Sequence, residues 1–180
     1  MNQLLLTRML DSAKIREDGN VLDVGCGSGD LAVKLAQRGY DVTGIDLSQV
    51  AIDRATERSK EAETLGHTTF FVCNVENPTE AKRFDGQRFD LITCKLVYAF
   101  LEDRPAFLEW VKDHLAEDGK FLLICPVIHD GMPLTLRIKN ISVRYTTLRQ
   151  ELEAAFNTVD EMYTEYAEDW GDSRFFILSK

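Results

Sequence analysis

Apolar and polar residues fall along the chain in short blocks, and the period of each block names an element. Leu4, Leu5 and Met9, with Leu6 beside them, suggest an amphipathic first helix over residues 3 to 15. After the turn Glu17-Asp18-Gly19, Val21, Leu22 and Val24 form an apolar run that stops at Gly25. Leu31, Ala32, Leu35 and Ala36 then recur at helical spacing, and Val42 to Ile45 gives a second strand ending on Asp46. Ser48 is an N-cap for a helix reaching about residue 65, with Ala51, Ile52 and Ala55 inward and Gly66 just past its end. Residues 69–73 and 89–94 read as the third and fourth strands, the latter after the turn Asp85-Gly86-Gln87. A helix over 102–115 follows, with Phe107, Leu108, Val111 and Leu115 on one face. The fifth strand, 121–125, is preceded by a second Glu-Asp-Gly tripeptide at 117–119. Residues 126–140 are the least periodic stretch and lie where a substrate wall belongs. A last helix over 145–156 leads to two hairpin strands, 158–166 and 174–179, joined by an acidic segment holding Trp170 and Gly171. This alternation predicts one α/β domain over residues 1–180: a mostly parallel sheet covered on both faces, with an antiparallel C-terminal hairpin at one edge.

Chemistry concentrates between Asn20 and Ser48. Gly25, Gly27 and Gly29 alternate with small residues between a strand and a helix, where the backbone takes positive φ and lets a ligand approach. The free N–H groups of the helix start point at whatever sits over this turn. With Asp46 at the end of the next strand, the unit reads as a nucleotide-binding βαβ half whose acid bonds ribose hydroxyls. A dinucleotide fingerprint would place its third glycine at Asp30. Here Asp23 instead precedes a G-x-G-x-G run.

That pattern resembles motif I of the class I S-adenosylmethionine-dependent methyltransferases, and Asp46 matches their ribose-binding acid. The difference in ligand is physical. A pyrophosphate favours a helix N-terminus, whereas S-adenosylmethionine carries an ammonium and a sulfonium, which an acid such as Asp23 suits. The resemblance covers nearly the whole chain and implies a Rossmann-like, doubly wound, seven-stranded sheet. It implies in-line SN2 transfer of a methyl group to a small-molecule acceptor, with S-adenosylhomocysteine as product. Its cofactor residues would be Asp23, Gly25, Cys26, Gly27, Gly29, Asp46, Leu47, Asn74, Val75 and Lys95. Asn74 stands where relatives usually have an Asp that accepts from the adenine amino group, and Val75 would pack on the purine. An Asx turn into Asn77-Pro78 is the competing role for Asn74.

The acceptor side is less legible. Many small-molecule relatives carry a histidine pair after the fourth strand, where this chain has Ala99 and Phe100. The candidate catalytic residues are Tyr98 and His129, with Lys95 behind them; a base is needed only when the acceptor must lose a proton. Tyr98 also reads as a pocket wall and His129 as a solvent-facing or capping residue; Trp110 and Trp170 belong to core or rim. Asp130 is the only acid at the end of the fifth strand, without the Asp-Asn pair of metal-dependent relatives, so no metal is expected.

Composition narrows the partners. Of 180 residues, 44% are hydrophobic and 28% charged, with a formal net charge of −9. Nucleic acid is therefore disfavoured, in agreement with the absence of the Asn/Asp-Pro-Pro-aromatic signature of base-amine methyltransferases. No apolar segment has membrane-spanning length and the first residues lack a signal peptide's features, so the expectation is a cytoplasmic monomer or homodimer. Cys26, Cys73, Cys94 and Cys125 have no C-x-x-C spacing and read as reduced packing residues. Two alternatives share the βαβ unit: a nicotinamide-binding oxidoreductase, and a non-catalytic cofactor-binding or regulatory domain. The second is motivated by the single helix before the first strand, which would leave the pocket open or completed by a second subunit.

Overall fold

The computed structural model describes residues 3–129, 131, 141–162 and 172–180. Its strands are β1 (Asn20–Val24), β2 (Asp41–Asp46), β3 (Thr68–Val72), β4 (Phe89–Lys95), β5 (Leu115–Ile128), β6 (Val143–Arg144), β7 (Thr158–Met162) and β8 (Asp172–Ser179). The helices are α1 (Gln3–Ala13), α2 (Asp30–Ala36), α3 (Gln49–Glu61), α4 (Pro78–Ala81), α5 (Arg104–His114) and α6 (Tyr145–Ala155). The sheet order is β3-β2-β1-β4-β5-β8-β7, parallel through β5 and antiparallel in the β8–β7 hairpin. β8 covers one edge of β5 as far as Val127, so the two-residue β6 joins β5 on the other side, beyond the end of β4. Among the described residues it is the one strand that periodicity did not indicate, being too short to carry a period.

Both faces of the sheet are buried, which is why its strands read as continuous apolar runs. On β1, Val21 faces one core and Leu22 the other; Leu91 and Ile92 of β4, and Leu122 and Leu123 of β5, divide in the same way. One core takes Leu6 and Met9 of α1 and Leu31 and Leu35 of α2. The other takes Phe107, Leu108 and Val111 of α5 with Leu148 and Leu152 of α6.

The differences from expectation have local causes. Ser48 caps α3 through its side chain, but the helix stops at Glu61. Gly66 serves close packing instead: its N–H donates to Ala36 O at 2.9 Å, and a Cβ there would lie 2.1 Å from Tyr40 O. The Glu117-Asp118-Gly119 turn is absorbed into β5 as an irregularity, since Phe89 pairs with Leu115 while Leu91 pairs with Lys120. α5 begins at Arg104 because the Asp103 side chain accepts from Ala106 N. The outer part of the hairpin, with Trp170 and Gly171, and most of 126–140, with Asp130, lie outside the described residues.

From β1 the chain runs outward through β2 and β3, then returns to β4 on the other side of β1. The carboxyl ends of β1 and β4 thus flank the point where the winding reverses, the place where open α/β sheets bind ligands.

Candidate functional site

Beyond Val24 the chain turns through Gly25, Gly27 and Gly29, whose φ values are +68°, +54° and +77°. All three lie in the region that side chains avoid. Around Gly27 the space is open: an added Cβ would meet nothing within 4 Å. The turn is braced from behind, where a Cβ on Gly29 would sit 2.9 Å from Ala55 Cβ of α3. Arg58 of the same helix donates to Ser28 O at 2.9 Å.

Asp46, at the end of β2, ties the turn to α3. Its Oδ2 accepts from Gly27 N and its Oδ1 from Ser48 N, both at 2.9 Å. A carboxylate offers about four acceptor sites, so each oxygen keeps capacity for a further donor. Cys26 contributes backbone: its N–H donates to Ile45 O at 2.9 Å.

Beneath the turn lies Asp23, 1% exposed. Its Oδ1 accepts from Thr93 Oγ1 of the neighbouring β4 at 2.6 Å, while Oδ2 has no hydrogen-bond partner among the described residues. Burial pushes its carboxyl up to about 6, against the Thr93 hydrogen bond and the charge of Lys95. An isolated buried carboxylate is costly, and a cation arriving over the turn would offset that cost.

The strand ends enclose a cleft of about 70 Å³. Gly25, Asp46, Leu47, Asn74 and Val75 line it together, joined by Glu76, Val97, Phe100 and Leu101. Leu47 and Phe100 are 69% and 60% exposed, so two large apolar side chains flank its mouth, as at ligand-binding surfaces. Asn74 closes the Asx turn weighed from the sequence, its Oδ1 accepting from Glu76 N at 2.9 Å. Glu76, Val97, Phe100 and Leu101 carried no motif; their only signal was position after a parallel strand. Larger hollows exist elsewhere. One of about 320 Å³ includes Asn20, Asp41 and Phe89, at the amino-terminal ends of β1, β2 and β4, and one of about 590 Å³ runs between α5 and α6. Neither adjoins the glycine turn.

The two candidate catalytic residues are not brought into this cleft. Tyr98 is fully buried in the α5–α6 core and donates its hydroxyl to Glu151 Oε2 at 2.9 Å. Burial, then the Glu151 charge, pushes the phenol well above its usual range. His129 follows β5, with Nε2 2.7 Å from Asp172 Oδ2 and its ring 5.0 Å from that of Tyr145. Lys95 is half-buried at the end of β4. All four cysteines are free and buried, and burial raises every thiol, that of Cys125 to about 12, so they are not poised as nucleophiles. Among the described residues no group of three His, Cys, Asp or Glu side chains could hold a metal ion.

A doubly wound sheet, a glycine turn opening on its switch point and an acid closing the second strand define a Rossmann-like domain. A family model described as a methyltransferase domain matches residues 2–173, and the chain belongs to that family. It is 30% identical over 167 residues to the probable S-adenosyl-L-methionine-dependent methyltransferase TehB of Haemophilus influenzae, covering 91% of this chain and 53% of that protein. The chain thus spans about half the length of this curated relative. Its fold is similar to that of a SAM-dependent methyltransferase from Methanosarcina mazei, with a TM-score of 0.74 at 19% identity over 99% of this chain and 96% of the other. It is also similar to a SAM-dependent methyltransferase from Thiobacillus denitrificans solved with S-adenosyl-L-homocysteine, with a TM-score of 0.70 at 19% identity over 90% and 67%.

Proposed function

We propose that this domain binds S-adenosylmethionine in the cleft over Gly25–Gly29 and transfers its methyl group to a small-molecule acceptor. The observation that carries the reading is the buried Asp23 carboxylate, with one oxygen unpartnered, directly below a glycine turn that Asp46 holds open. The residues present fit the cofactor's chemistry. Asp23 complements the cationic methionine portion, the spare acceptor capacity of Asp46 takes ribose hydroxyls, and Asn74, Val75, Leu47 and Phe100 surround the adenine. A pyrophosphate would meet Asp23 and Asp30 instead, which disfavours a nicotinamide dinucleotide.

The cofactor, when bound, supplies an already activated methyl sulfonium. The chain's own work is to hold the two reactants in line and exclude water. Where the acceptor must lose a proton, His129 stays the candidate base: it lies just past β5, outside the cleft lining, with Asp172 and Arg174 fixing its imidazole. The acidic net charge and the absence of a basic cluster support a small molecule over nucleic acid as the partner. Among the described residues no helix is long and apolar enough to cross a membrane. Four unpaired thiols favour a reducing, cytoplasmic setting, with the domain as monomer or homodimer.

Isothermal calorimetry with S-adenosylmethionine and S-adenosylhomocysteine tests the cofactor half, and binding of both is expected. No heat from either at millimolar concentration refutes it, and saturable NADH binding would favour an oxidoreductase.

A further inference from the structure

Between β4 and α5 the segment Leu96 to Asp103 arches over the cleft. It begins under strain: Leu96 has φ +63°, a conformation that L-residues adopt only where their surroundings enforce it. Val97 stands so close over the glycine turn that a Cβ on Gly25 would lie 2.2 Å from its Cγ2. Phe100 and Leu101 line the cleft beside it.

Two carboxylates hold this arch. Glu76, from the β3 side, accepts from the N–H groups of Glu102 and Asp103 at 2.8 and 2.9 Å. Glu151 holds it from behind, on α6 and outside the cleft lining. It accepts from the Tyr98 hydroxyl at 2.9 Å and from Arg104 Nε and a terminal guanidinium nitrogen at 2.8 to 3.2 Å. Tyr98 is the middle of the arch, between Val97 and Phe100, and Arg104 is the first residue beyond it. A buried phenol needs some acceptor, and a neutral one would be cheaper to bury than a charge. A carboxylate forked by arginine adds fixed geometry. Every side-chain bond found for Glu151 ends on the arch or its junction with α5.

We propose that Glu151 is a positioning residue for the cofactor cleft: through Tyr98 and Arg104 it sets where Val97, Phe100 and Leu101 stand over the glycine turn. The proposal rests on the reading that the cleft takes S-adenosylmethionine. It makes the face between α5 and α6, remote from the reacting atoms, a determinant of cofactor affinity.

The test compares wild type, Glu151→Ala, Glu151→Gln, Tyr98→Phe and the Glu151→Ala/Tyr98→Phe double variant by calorimetry with S-adenosylhomocysteine. Hydrogen exchange of residues 97–103 and urea unfolding accompany it. Glu151→Ala should weaken binding about tenfold or more, as a small misplacement of a positioning group does. Tyr98→Phe should act in the same direction, the double variant should be no worse than Glu151→Ala, and Glu151→Gln should recover part of the loss. Exchange at 97–103 should rise in Glu151→Ala while the rest of the sheet stays protected. Affinity within twofold of wild type, or fully additive effects of the two substitutions, overturns the proposal. Should wild type bind neither cofactor form, the functional reading fails. The exchange data then judge the arch by themselves, and unchanged protection at 97–103 in Glu151→Ala refutes its restraint by Glu151.

Discussion

Asp23→Asn isolates the charge on which the site depends. In the folded protein the Asp23 carboxyl is raised from 3.8 to about 6, first by burial, while in the unfolded chain it regains its ordinary value. The native state therefore binds this proton more tightly, and between those two values stability rises as pH falls. The shift of roughly two units makes the anion cost about 3 kcal/mol of folding stability at neutral pH. By the same linkage, lowering the pH from 7 to 5 should stabilise the cofactor-free protein by about 1 kcal/mol through this group alone. For a chain of this size that is a rise of about 2–4 °C in Tm. Asn keeps an oxygen for the Thr93 hydroxyl but cannot ionise, so the variant should lack this component. At pH 7 the variant should also be more stable than wild type, by about 1–2 kcal/mol once the unpaired amide is counted. The assay is urea unfolding of the cofactor-free protein at pH 7, 6 and 5, with the wild-type minus variant difference removing every other titration. Cofactor affinity should move oppositely: wild type binds less tightly at pH 5 than at pH 7, and Asp23→Asn binds weakly at both. Parallel pH profiles for the two proteins would refute the argument, because they would mean that Asp23 does not titrate in this window.

Three further outcomes follow from the same geometry. Gly27→Val should leave the fold standing at a cost of about 1–2 kcal/mol for a branched residue at positive φ, since a Cβ there meets nothing within 4 Å. It should nevertheless abolish cofactor binding, and wild-type affinity by calorimetry would show that the ligand does not approach there. Asp46→Ala removes acceptors from the N–H groups of Gly27 and Ser48; unfolding should show a loss of about 2 kcal/mol and titration a much weaker cofactor. His129→Ala should lower kcat with labelled cofactor for acceptors that must lose a proton, and leave cofactor affinity unchanged; a loss confined to affinity would give the residue a structural role.

Much of the fold was legible because period carries it. Strands with both faces buried show as unbroken apolar runs, and Ser48 announced α3 through its cap. What escaped was set by contacts between distant segments. Gly66 looks like a helix stop from its neighbours alone, yet its role comes from the Tyr40 carbonyl on another element. The turn at Glu117–Gly119 resembles the one at Glu17–Gly19, but β4 draws it into the sheet as a bulge. α4 is four residues long, too short for a period, and rests on the Asn77 cap and Pro78.

The two halves of the site differ in legibility for a related reason. The cofactor half is built from backbone at positive φ and from acids at strand ends, features that fix residue type at fixed spacing. The acceptor half was expected after β4 and beyond β5, where no residue type is fixed at a set spacing. Tyr98 shows the consequence. Position after β4 made it a candidate base, but its ring turns into the α5–α6 core and its hydroxyl binds Glu151 from behind the cleft. Only the path of the arch decides that orientation, and this path depends on Glu76 and Glu151, lying 22 residues before and 53 residues after Tyr98 in the chain. A motif can specify where a ligand meets the backbone; which side chains face it is a property of the packed structure.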